Sequence, residues 1–505
     1  MKHAHLLLAL LCLITTTSLP AKEQPKKAAG SLNYHIHLKV ADAKDSMVYL
    51  VHYYGKGGNK IYMSDSAMFK NGVADFRSTD SPFVGGSYMV LMANKSTNFE
   101  FLLNKGDDIA ITATLSKLPE GIKFVNSPEN DRFQDYQGRA RAYGETQQGL
   151  VKELETAKTK ADTDAIRKRG SESAKAFADY RKKMEADYPG TLLANILRAL
   201  EKPEMPEGQH FLEDGKTTDS SFAYKYYKAH YWDGFDFQDD RLIYTPLYDG
   251  LLEEYMTKMV IPATDSVIRE SDMILKKAKG SRDVFHYSLW WLTRYVEESK
   301  VMGLSDAFVY FVENYYMKGD AFWLTNEELQ KYIDRAKKMA PNVIGNVAPE
   351  LKLPDVATNK TDVMRDVAAP YTVIVFYSPN CGHCKHELPL LDSVYEAVLK
   401  QKGVKVYTIA TEGEQKVISD FLISNKLDKK WINTWDPDNL SNRVVNYDVL
   451  STPTIYLLDS KKIILGKRLD HSNINSVVEM TERKKKDIAA KRQSATNIHS
   501  STKKQ

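Results

Sequence analysis

Cysteine is scarce: the 505-residue chain holds three. So small and odd a number in a chain of this length excludes a fold stapled by several disulfides. Glycine (26) and proline (18) are too few for a collagenous or low-complexity chain. Long hydrophobic runs are missing as well. The clearest apolar stretch, residues 6–14, has nine residues, whereas a membrane-crossing helix takes roughly 20. Neither sign of charge dominates, with 70 Lys and Arg against 66 Asp and Glu and a net charge of +4. Together with 43% hydrophobic residues, this excludes a wholly disordered or multi-span membrane chain. At roughly 100 to 200 residues per domain, the length suits about three folded units.

The first 21 residues have the layout of an export signal. Lys2 and His3 lead the apolar run, and small and polar residues follow to Ala21. A transmembrane anchor would need a longer run. A lipoprotein signal would acylate Cys12, but Leu11 precedes it where a small residue is expected. Export into the periplasm or cell envelope is expected to remove Cys12 and leave a mature chain with only Cys381 and Cys384. The charge also changes once it is divided along the chain. Residues 481–505 carry eight Lys or Arg against two acids, and without them and Lys2 the body has a net charge of −3. That balance does not suit a nucleic-acid binder, and no zinc-finger or Gly-rich phosphate motif contradicts it. The basic tail, residues 483–505, reads as a solvated helix end running into a frayed terminus, with contact to an anionic surface as the alternative.

From 31 to about 118 the pattern has period two: Leu32, Tyr34, Ile36, Leu38 and Val40 alternate with polar residues. Further strand-like runs follow, punctuated by Gly57-Gly58, Asn71-Gly72 and Gly106-Asp107. The expectation is an antiparallel β-sandwich or barrel over 31–125. Residues 126–341 read as helical, with Phe177, Tyr180 and Met184, and later Phe308, Phe311, Val312 and Tyr315, at three-to-four spacing. Their aromatic clusters (Tyr224, Trp232, Trp290, Trp291 and Trp323 among them) suit an all-α core, with a ligand surface as the alternative. Two prolines and a glycine break the pattern between 342 and 355. Strands then alternate with helices over 342–482, which predicts an α/β unit with a mixed sheet.

Cys381-Gly382-His383-Cys384 opens a predicted helix directly after a buried strand, and that context makes a common four-residue pattern a redox motif. A helix N-terminus carries about half a positive charge and unpaired N–H groups, so Cys381 is expected as a thiolate below the free value of about 8.5. His383 would add positive charge or a hydrogen bond to it, making the disulfide more oxidising. Cys384, one turn in, is placed to attack a mixed disulfide and release the reduced substrate. A structural disulfide is one alternative, but CxxC closes too small a loop to constrain an unfolded chain. Haem attachment needs His directly after the second Cys, and position 385 is Lys. Zinc would take Cys381, Cys384 and His386, yet no second ligand pair exists.

At these residues the chain resembles the thioredoxin superfamily, most closely the exported thiol-disulfide oxidoreductases similar to TlpA and ResA. The likeness runs from 345 to about 480: GNVAPELKLPD at 345–355, the strand followed by CGHC and KHELP, and STPTIYLLD at 451–459. It implies a thioredoxin-like fold, a cis Pro453 packed against the CxxC, and a Thr452 whose backbone receives the substrate peptide. It also implies that Glu387 tunes the thiols and that Pro389 kinks the helix. No cofactor is implied. Three positions depart from the pattern. Asn380 replaces the usual Trp before the first Cys, and Val375 replaces a buried Asp, which would leave proton transfer at Cys384 to Glu387 or water. Ser378 stands where a peroxidase has Thr, which argues against a peroxiredoxin. Upstream, SDSAMFKNGVADF and FVNSPEN resemble a β-rich N-terminal domain, and DFQDDRLIYTP and MGLSDAFVYFVENYY a helical middle domain, both of unknown function and both found before such modules in Bacteroidota.

The expected function is a periplasmic thiol-disulfide oxidoreductase acting on disulfide-containing exported proteins. The resemblance implies reduction, fed by a membrane-embedded thiol donor, whereas His383 pushes toward oxidation. The alternative is an envelope binding or assembly protein whose thioredoxin unit is accessory, because about two thirds of the mature chain lies outside that unit.

Overall fold

The computed structural model describes residues 32–502 apart from 56–60, 80–82, 213–214 and 300. The expected export signal with Cys12, residues 503–505, and the side chains of Lys491 and Arg492 lie outside the described residues. The chain divides into two compact units, one formed by Met1–His52 with Tyr62–Ser173 and the other by Tyr53–Ile61 with Ala174–Gln505. The stretch expected as one helical unit, 126–341, is therefore divided at Ser173.

In the first unit the period-two pattern becomes β1 (Tyr34–Ala41), β2 (Met47–Tyr53), β3 (Ile61–Met68), β4 (Val73–Ser78), β5 (Gly86–Met92), β6 (Asn98–Leu103), β7 (Asp107–Thr114) and β8 (Lys123–Val125). They form two four-stranded sheets, ordered β4-β1-β7-β8 and β3-β2-β5-β6. Tyr34, Ile36, Leu38 and Val40 turn inward and share one core with Val48, Leu50, Val90, Phe99, Phe101, Ile109 and Ile111. Each such side chain contributes about 1.5–3 kcal/mol on burial. The result is the expected sandwich, with one difference: β1 pairs with β7 in parallel, from Tyr34 opposite Asp107 to Ala41 opposite Thr114. The helix Pro128–Thr156 is tied to this sandwich by buried Asn130, whose side chain accepts from the Leu102 N–H and donates to the Leu102 carbonyl, each at 2.7 Å.

The second unit's aromatics divide between core and surface, with Trp290, Trp291 and Trp323 half-buried. Trp232 is buried among Phe235, Phe237, Tyr248 and Tyr255, and Phe308, Phe311 and Val312 are buried as expected. Tyr224 is 43% exposed.

The same unit holds a short ribbon of β9 (Lys352–Pro354) and β10 (Thr361–Val363), and a five-stranded mixed sheet. Its order is β13-β12-β11-β14-β15, built from β11 (Tyr371–Tyr377), β12 (Val404–Ala410), β13 (Ile432–Trp435), β14 (Thr454–Asp459) and β15 (Ile464–Lys467). β11 is parallel to β12 and antiparallel to β14. All seven residues of β11 are buried, because both faces of the sheet are covered. Val373, Val375 and Tyr377 pack with Cys384, Leu388 and Leu391 of the helix Gly382–Val394, and Ile374 and Phe376 face a second core.

Helical and α/β parts of this unit are joined by a buried polar cluster. Lys467 Nζ on β15 pairs with the Asp306 carboxylate and lies 3.1 Å from Asn342 Oδ1. The Ile344 N–H donates to the other Asp306 oxygen at 2.8 Å. With the Lys467 and Asp306 side chains 7% and 1% exposed, neither charge is solvated, so each depends on the other. Among the described residues, no helix is long and apolar enough to cross a membrane.

Candidate active site

A buried strand delivers the thiols. β11 ends at Tyr377, and after three intervening residues Cys381 occupies the N-cap position of the helix Gly382–Val394. The intervening turn is pinned at several points. The Cys381 N–H donates to the Ser378 carbonyl at 3.2 Å, the Asn380 N–H donates to Ser378 Oγ at 3.1 Å, and Ser378 Oγ in turn donates to Glu412. Lys385 N–H closes the first helical turn onto the Cys381 carbonyl at 3.1 Å.

Both cysteines are free thiols, with Cys381 partly exposed and Cys384 fully buried. Their environments pull them apart. The Cys384 backbone N–H at the Cys381 sulfur holds that thiol below the ordinary cysteine value, against the opposing effect of partial burial. Smaller contributions in the same direction come from the Thr452 and Cys384 side chains and the His383 backbone N–H. Burial pushes the Cys384 thiol up to about 11. The separation follows from position on the helix: the N-cap sulfur meets unpaired N–H groups, and the sulfur one turn in meets the core.

The Thr452-Pro453 peptide bond is cis, and the Cys381 thiol donates to the Thr452 carbonyl at 3.2 Å. Residues 71 positions apart thus meet at one sulfur. His383 is exposed, and the part of it that reaches Cys381 is its backbone N–H rather than the imidazole expected from the sequence. Glu387 is placed differently from its expected role on the thiols. Its carboxylate accepts from the His471 N–H at 2.6 Å and lies 2.8 Å from His471 Nδ1. Val375 faces the core shared with Cys384, so β11 brings no carboxylate to the buried sulfur. Pro389 lies inside the helix as anticipated. Sequence reasoning missed His471, which is 84 residues from Glu387 and carries no local motif, and it missed the Ser378 and Glu412 pair. Among the described residues, no group of three or more His, Cys, Asp or Glu is placed to hold a metal ion, so Cys381, Cys384 and His386 do not form one.

Residues 344–466 match the AhpC/TSA family. Over 136 residues the chain is 29% identical to sporulation thiol-disulfide oxidoreductase A of Bacillus subtilis (strain 168), covering 26% of this chain and 80% of that protein. The chain is a TlpA/ResA-like member of the thioredoxin superfamily. It is a thiol-disulfide oxidoreductase, extended at its N-terminal side. Thioredoxin-like protein YneN of the same Bacillus strain is 25% identical over 127 residues, 24% of this chain and 68% of that one. A solved domain of a possible thiol-disulfide isomerase from Cytophaga hutchinsonii ATCC 33406 is 33% identical, with 29% of this chain and 99% of that one covered and a TM-score of 0.27. The extensions of the oxidoreductase match two families described as domains of unknown function, DUF4369 over residues 34–133 and DUF5106 over residues 215–342.

Proposed function

We propose that this oxidoreductase works in the periplasm or cell envelope and reduces disulfides of exported proteins through Cys381 and Cys384. The Cys381 thiolate attacks one sulfur of a substrate disulfide. A Cys381–substrate disulfide forms, and the second substrate sulfur leaves as a thiolate that takes a proton. Cys384, once deprotonated, attacks the Cys381 sulfur. The Cys381–Cys384 disulfide forms and the first substrate sulfur leaves, so two electrons pass from enzyme to substrate. A membrane-embedded thiol donor would restore the dithiol. Thr452 and the cis Pro453 border the attacking sulfur and receive the substrate backbone, and Glu387 positions the helix through His471.

The observation that supports this most is the contrast between the two sulfurs, one partly exposed and acidified and the other buried and held protonated. The resemblance favours reduction, and the exposed position of the His383 ring weakens the argument for an oxidant. The reading is tested by reduction of insulin or a model disulfide, and full activity in Cys381→Ser would refute it. The Cys384→Ala variant should accumulate mixed disulfides with its substrates. A reduction potential of about −270 mV fits a reductant and one of about −120 mV an oxidant. Lys467, Asp306 and Asn342 join the redox part to the helical part, which favours a helical part that acts with the thiol site over an accessory redox module.

A further inference from the structure

A cleft of about 460 Å³ opens between the helix Asn326–Met339 and the chain leading into the cis proline. The helix side presents Lys331, Arg335 and Lys338, and the other side presents Val444, Asp448 and Leu450. Its place relative to the thiols follows from the chain. Leu450 is two residues before Thr452, whose carbonyl accepts from the Cys381 thiol, and two extended residues span about 7 Å. Leu450 is 75% exposed and Val444 41% exposed, apolar surface that a substrate segment would cover.

The charge of the cleft selects what fits. Five cationic side chains line it against three anionic ones. Lys467 is committed below to Asp306. Arg335 pairs with Glu297 at 3.0 Å, Lys331 with Glu327 at 3.0 Å and Arg468 with Asp448 at 2.7 Å. The pairs of Arg335 and Lys331 are solvated, a kind worth little, and a competing carboxylate exchanges into them at small cost. Lys338 is exposed and has no ion-pair partner among the described residues. The buried Lys467–Asp306–Asn342 cluster beneath holds the two walls at fixed separation.

We infer that this cleft is a substrate subsite in which the helical part, through Lys331 and Lys338, receives an acidic stretch of polypeptide next to the substrate's disulfide. The inference rests on the exchange function proposed above and gives the helical part a share in choosing the substrate.

The test uses the full-length reduced protein and two peptides of equal length, each with one disulfide, flanked by Asp and Glu in one and by Lys and Arg in the other. The ratio of kcat/KM for the acidic to the basic peptide should exceed one by about three- to tenfold at low salt, and should shrink as salt rises. In Lys331→Glu/Lys338→Glu it should fall to one or below, with Lys338→Gln between. These side chains are exposed, so the substitutions leave the core untouched. A ratio unchanged by the charge reversal, while a small aromatic disulfide is still reduced, overturns the subsite and leaves the exchange function standing. Loss of a dimer in the variant with an unchanged ratio would assign the cleft to a second copy and likewise overturn it. A wild-type protein that reduces no disulfide at all removes both readings.

Discussion

His471 holds the Glu387 carboxylate at both oxygens, by its backbone N–H at 2.6 Å and its ring Nδ1 at 2.8 Å. This contact ties the loop after β15 to the helix that presents the thiols, and it occupies the carboxylate expected to act on them. Glu387→Ala should therefore cost about 1.5–3 kcal/mol in urea unfolding of the reduced protein, the range for a charge-assisted hydrogen bond lost at a partly buried site. The pH dependence of Cys381 alkylation should stay in place. A clear shift of that profile would show that Glu387 acts on the sulfur after all.

Alkylation should separate the two cysteines. Cys381 should react first, with a rate that follows one ionisation below the ordinary cysteine value. Cys384 should stay unmodified through neutral pH, as its thiol is buried and shifted up to about 11. Mass spectrometry after a short pulse at pH 7 reads this out, and equal labelling of the two sites would contradict the geometry.

The buried thiol also sets a direction for stability. A group raised in the folded state keeps its full contribution below its unfolded value and loses it as pH climbs through the folded value. The reduced protein should lose stability from about pH 8.5 toward 11 through Cys384, beyond any change in Cys384→Ala. Cys381 has the opposite sign, since its lowered value favours the folded thiolate at alkaline pH. Urea midpoints of the two proteins across that window should diverge, and parallel curves would count against the burial argument.

Breaking the pair between Lys467 and Asp306 should be severe. Asp306→Ala leaves a buried ammonium with Asn342 alone, and about 3–5 kcal/mol is the cost of such an uncompensated charge. The double variant Asp306→Ala/Lys467→Met should cost less than the sum of the single ones, and additive losses would show that the two charges are independent.

Asn130 offers a test in the sandwich. Asn130→Ala leaves the Leu102 N–H and carbonyl unpaired inside the protein, and about 1–3 kcal/mol per group is the expected loss. Thermal unfolding of the full chain should show it as an early transition.

Much of this was legible in local pattern. Tyr34, Ile36, Leu38 and Val40 alternate visibly, and a strand running into Cys381 at the head of a helix is a four-residue signal with its context attached. The cis bond before Pro453 came from resemblance rather than from spacing. Less legible were relationships over long separations. Glu387 and His471 are each unremarkable in sequence and acquire a role when β15 returns beside the helix. Lys467 looks like the polar end of a strand, although it is a buried charge whose partner lies 161 residues upstream. The parallel pairing of β1 and β7 was hidden as well, because alternation reports which face is buried and says nothing of strand direction.

That parallel pairing sets an order of assembly. β1 lies between β4 and β7, and His35 meets Asp108 across 73 residues of chain. As the chain emerges N-terminus first, β1 can pair with β4 early, but its other edge stays open until β7 arrives. During that interval an apolar strand edge awaits a partner and will accept one from a neighbouring chain. Any truncation ending before Asp107 would leave that side of β1 unpaired for good, turning an inner strand of the sheet into an edge.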